Sequence, residues 1–180
     1  MEKGFTLRRI TTFALMLSLV FVLSIIEGIL LPLPLHLRLG LSNVVTMYAL
    51  FFMGRRYAFA LALLKSTSVC LTRGPVAGLL SLSGGVFSLF VIVLLAAIRP
   101  QASYFLLSAC GAVGHNIAQL AAASWLTSTN LLLVLLPLLT ASGVLAGGLT
   151  AVLLRAVMPL FKAHIEANAQ VAQSPWVSRI

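Results

Sequence analysis

The chain has 180 residues, of which 61% are hydrophobic and only 8% charged, far below the charged share of about 25% usual in soluble domains. Twelve Lys and Arg face three acids, all Glu, for a formal net charge of +9. The bases punctuate the ends of apolar runs, which argues for a membrane and against nucleic acid. The runs are long and continuous, not alternating, so a β-barrel is excluded in favour of helices.

Six helices are expected in chain order. The first covers 10–31. Its start, with Lys3, Arg8 and Arg9, could be read as a signal peptide, but the apolar run is too long and lacks a small-x-small cleavage site. Ala14 and Ser18 stand one turn apart and make a small-residue face fit for a partner helix. Pro32 and Pro34 then forbid regular helix and predict an extended loop carrying His36 and Arg38.

The second helix begins at Leu41-Ser42-Asn43 and ends at Gly54-Arg55-Arg56. The third, over 57–71 with Lys65 in its middle, looks short for a full crossing. It is expected to be thinned, buried or partly unwound. A turn at Arg73-Gly74-Pro75 leads to the fourth helix over 76–98, which contains Ser81, Ser83, Gly84, Gly85 and Ser88. The fifth covers 102–126 and the sixth 130–158, with Gly143, Gly147 and Ala151 on one stripe and Pro137 near its start. Residues 1–162 form a single helical domain and 163–180 a polar tail. Cys70 and Cys110 read as small packing residues, not as a disulfide or metal pair. No metal site, cofactor site or nucleotide-binding motif is expected.

Six spans put both termini on one side. Under that topology nine bases fall on the terminal side and two, Arg38 and Arg73, on the other. The positive-inside rule then makes both termini cytoplasmic.

The most informative stretch is Ser108 to Gln119. Inside an apolar helix it carries His115, Asn116 and Gln119, with His115 and Gln119 on one face. Such groups are costly in hydrocarbon unless they meet protein, ligand or water. One reading makes them hydrogen-bonded ties between helices; the sharper one makes them the lining of a small-molecule site. Counting the helical rise gathers them with Asn43, Ser81 and Ser83 in the outer half of the bundle, with Lys65 deeper and Arg38 in the loop above. Arg38 and Arg73 also suit interfacial anchoring, Lys65 suits snorkelling or pairing with Glu27, and the serines suit bonds to their own helix. The available charges are mainly basic, which points to an anionic or strongly hydrogen-bonding ligand.

Gly40-Leu-Ser-Asn43-Val-Val-Thr, Ser81-Leu-Ser-Gly84-Gly85 with Ser88, and Ser108-x-x-Gly111-Ala-Val-Gly-His115-Asn116-x-x-Gln119 together resemble a bacterial membrane family. It is labelled heptaprenyl diphosphate synthase component I, or the Gx transporter family. Ser42, Ala118 and Lys65 depart from the residues expected there, Ala, Gly and Arg. The family is similar in plan to the S components of energy-coupling factor transporters. That resemblance implies a six-helix transmembrane bundle in the bacterial cell membrane that captures a ligand from outside beneath a loop lid. It also implies docking on a transmembrane coupling subunit through Ala14 and Ser18, with ATPases driving release.

The synthase label suggests an enzyme instead. Prenyl transfer needs magnesium held by paired carboxylates, and this chain has no Asp and three isolated Glu. It is therefore not expected to be catalytic alone. The alternative is a non-catalytic membrane partner of prenyl diphosphate synthesis or of a quinone or redox system.

Overall fold

The computed structural model describes residues 2–30, 41–128 and 131–166. They form six helices: α1 (Glu2–Leu30), α2 (Leu41–Phe52), α3 (Arg55–Arg73), α4 (Pro75–Ile98), α5 (Tyr104–Thr127) and α6 (Leu131–Glu166). The proline loop with Pro32, Pro34, His36 and Arg38 lies outside the described residues, as does the tail from 167.

Of the alternatives for the third helix, unwinding is ruled out. α3 is continuous over 19 residues, a length of about 28 Å. It gains residues at both ends: Gly54 caps its start, and Gly74 is the whole connection to α4. Gly74 has φ 92°, a left-handed conformation open to glycine, and its N–H donates to the Cys70 carbonyl at 3.0 Å. Pro75 then starts α4, where its missing N–H costs nothing.

The short helix is α2, with 12 residues and a length of about 18 Å. Every residue from Val44 to Phe52 is buried, as befits a helix that is apolar on all sides. Phe51 meets Tyr104 of α5 edge-on at 5.4 Å, and Tyr48 stacks near Phe52 at 4.5 Å. With Leu61, Ile92 and Leu107 these side chains make an apolar core at the end where α2 finishes and α5 begins.

Neighbouring helices run antiparallel. Gly78 faces Cys70 and Gly85 faces Ala62, so contacts descend α4 as they climb α3 back from the Gly74 turn. The same reversal relates Gly84 and Gly111 of the α4–α5 seam, and Gly143 and Gly147 of the α5–α6 seam. α2 packs on α3 and α6, which closes a ring of α2 to α6. α1 lies outside it against α2 and α3, parallel to α3: Phe13 meets Tyr57, and further along Arg73 Nη2 donates to the Ser24 carbonyl at 3.1 Å. Arg73 is thus a tie between α1 and α3. The start of α1 and the end of α6 come to the same end of the bundle.

Polarity is inverted. Large apolar side chains are exposed on α1, α3, α4, α5 and α6, among them Leu71, Ile98, Trp125 and Leu145. Lys65, His115, Asn116 and several hydroxyls are buried. α4 and α5 are each long and apolar enough to cross a membrane.

The α5–α6 seam yields a paired prediction. A Cβ on Gly147 would collide with the backbone of Ala109, whereas one on Gly148 would only touch the Phe105 ring at 3.4 Å. Gly147→Ala is expected to lower stability by about 1–3 kcal/mol, the scale of an overpacked contact. Gly148→Ala is expected to be neutral or stabilising through helix propensity. Thermal unfolding of the two variants checks this.

Candidate functional site

The five ring helices enclose one polar cavity with a volume of about 30 Å³. α2 lines it with Ser42, Asn43, Thr46 and Met47, and α3 with Ala62 and Lys65. α4 contributes Ser81, Gly85, Ser88, Leu89 and Ile92. α5 contributes Ser108, Ala112, His115 and Asn116, and α6 Ala146 and Thr150. The volume suits about two water-sized atoms, and is far below the roughly 300 Å³ at which small-molecule pockets begin. In this conformation the cavity is a narrow axial slot.

Asn43 sits deeper than the helical-rise argument puts it. Lys65 lies about 15 Å along α3 from Arg55, close to mid-height. Its Nζ donates to Asn43 Oδ1 at 3.1 Å, so the start of α2 is at mid-height as well, not at the outer face. The cause is the brevity of α2. Ser108 and Thr150 extend the polar lining towards the opposite end.

His115, Asn116, Asn43, Ser81 and Lys65 therefore share one cavity. Gln119 is near but outside it. It lies with His115 over Gly84, where an added Cβ would come within 2.7 Å of Gln119 Cγ and of the His115 ring. Gly84 is the recess that lets two polar side chains of α5 lie flat against α4. Ser83 turns away and donates to the Leu80 carbonyl of its own helix at 3.0 Å. Arg38 is outside the described residues. Ala14 and Ser18 are exposed on α1, and the Ser18 hydroxyl donates to the Ala14 carbonyl at 2.9 Å.

Sequence reasoning missed Ser42, Thr46, Ser88, Ser108, Thr150 and the small residues around them as lining. Spacing was a usable signal for two of these: Ser81 and Ser88 are two turns apart, and Ser108 and His115 likewise. Thr150 carried none, since only the α5–α6 packing turns it inward. Ser81 and Ser108 are 3% and 2% exposed, and their hydroxyls make no hydrogen bond with the protein. A buried hydroxyl in that state is costly unless something else in the cavity bonds to it.

With this geometry in view, residues 16–157 match the family described as heptaprenyl diphosphate synthase component I. The chain belongs to that family. The match runs from the middle of α1 through the first three quarters of α6, and so covers every lining residue. No curated protein and no solved structure matches the chain. The family description is of one component of a synthase, and this component is not catalytic by itself. The carboxylate content gives the physical reason. The three Glu are at 2, 27 and 166, and none of the described lining residues is acidic.

The role of Gly84 can be tested against its neighbour. Gly84→Ala is expected to push the His115 and Gln119 side chains out of place while the fold survives, because both can move. Gly85→Ala should be tolerated, as its Cβ would meet only Ala62 Cβ at 3.7 Å. Imidazole NMR signals should shift in the first variant and not in the second.

Proposed function

We propose that this protein is a multi-pass membrane subunit that holds a small polar ligand among helices α2 to α6, in the manner of a substrate-capture component of an importer. The observation that carries this reading is the inverted polarity. Five helices bring polar side chains to one central slot, while their outer faces are apolar. Water would not favour that arrangement, but hydrocarbon would, and intramembrane polar clusters of this kind mark ligand or ion sites. His115, Asn116, Asn43, Ser81 and Lys65 are the proposed ligand contacts. Gln119 acts next to His115, and Arg38 belongs to the loop above.

The slot is too narrow for a vitamin-sized molecule, so capture requires the ring to open. α1 stands outside the ring and exposes Ala14 and Ser18. That face suits a transmembrane coupling partner, with energy supplied by separate ATPase subunits. The exposed bases Arg55, Arg56 and Arg99 lie at the end to which the start of α1 and the end of α6 come, which favours a cytoplasmic placement of that end.

A second reading follows from the family description. A component I requires at least one other component, so the chain could serve as the membrane partner of a separate catalytic subunit.

Uptake measured with and without co-expressed coupling and ATPase subunits separates the two. Partner-dependent accumulation of a small molecule supports capture. Its absence with every partner set, together with stoichiometric copurification of a soluble prenyl transferase, supports the second reading. For topology, Arg55→Cys in a background lacking Cys70 and Cys110 should resist an impermeant thiol reagent applied from outside. Arg38→Cys should react.

A further inference from the structure

We propose that the slot binds an oxyanion, a carboxylate or phosphate group, seated between Lys65 and Ser81. The proposal rests on the ligand-site reading above and names the chemistry that the site would take.

Two features of the site converge.

The first is Lys65, which is buried at 6% exposure on the cavity wall. Its ammonium can only donate, so the Asn43 atom that faces it must be the oxygen, as the 3.1 Å contact has it. The Asn43 amide nitrogen is thereby turned to the other side as a further donor.

The second is independent of it. The Ser81 hydroxyl is buried at 3% exposure, lines the same cavity and makes no hydrogen bond with the protein. Ser81 is four residues before Gly85, which faces Ala62 one turn before Lys65. It therefore lies at the Lys65 level. It is a buried donor with room beside it and nothing in the protein to receive its proton.

A cation is the wrong guest for this wall. The described lining residues include Lys65 and no carboxylate. The volume of about 30 Å³ matches the two oxygens of a carboxylate or one face of a phosphate, so the remainder of a larger ligand would extend beyond the slot.

The test uses the full chain in a mild detergent, with sodium acetate and inorganic phosphate as probes. Glycerol serves as a neutral probe and tetramethylammonium chloride as a cationic one. Binding is read as a saturable rise in the thermal midpoint. Acetate, phosphate or both should raise it, and which of them does so separates the two oxyanion sources. Lys65→Met should weaken the effective anion by about tenfold or more, the scale of a lost charged hydrogen bond, and Ser81→Ala by a smaller factor. Lys65→Arg should retain it, and that variant guards against a trivial loss of fold in Lys65→Met. An anion response of equal size in the wild type and Lys65→Met, or a response to the cation alone, overturns the proposal. A response to glycerol that depends on Ser81 and Ser108 but not on Lys65 overturns the oxyanion and leaves the ligand site standing. If no probe acts, and Ser81→Ala and Ser108→Ala each stabilise the protein, the slot is a hydrated packing gap and both readings fail.

Discussion

A helix of 12 residues that is apolar on every side has one stable location, the middle of other helices. α2 is that helix, and its burial sets the arrangement of the rest. It is too short to run the length of α3, so the ring of α2 to α6 is filled by apolar side chains at one end and left with a polar slot at the other. Phe51 and Phe52 anchor its lower end, where Tyr104 closes against them. At its upper end Asn43 Oδ1 accepts a hydrogen bond from Lys65 Nζ on the cavity wall. A longer α2 would have displaced these groups towards the surface and removed the slot.

The ring can close because the seams between neighbouring helices are made of small residues. Along α4 and α5 the close approach leaves a recess at Gly84 for the side chains of His115 and Gln119. Along α5 and α6 the backbone of Ala109 comes against Gly147. Close backbone approach recovers dispersion energy where no hydrophobic drive between helices exists, which is the situation in hydrocarbon. The same closeness makes the cavity narrow. Polar side chains that would be too long for the space are accommodated by glycine, and short hydroxyls line what remains.

Membership of a family named for a synthase component is compatible with a chain that holds a ligand and does not transform it. Magnesium-dependent prenyl transfer asks for clustered carboxylates. The cavity wall instead offers donors: an ammonium, an imidazole, amides and hydroxyls. The exposed outer face of α1, which the ring does not need for its closure, leaves a helix available to a partner.

Much of this was readable from residues in order. The sixfold helical pattern, the turn at Gly74 and the burial of His115 and Asn116 follow from local rules: apolar runs of spanning length, glycine and proline as stops, and the cost of polar groups in an apolar run. Belonging to one face is also local, so His115 could be grouped with Gln119 from spacing alone. Depth and facing could not. The height of Asn43 depends on where α2 ends against α3 and α5, and the inward turn of Thr150 depends on the α5–α6 seam. By sequence Lys65 suits a ligand contact, snorkelling or a pairing with Glu27. In the fold it is a wall residue held by Asn43 across 22 positions of sequence, a pairing that no local pattern encodes. Periodicity determines which residues share a side of a helix; only packing between helices decides what that side faces.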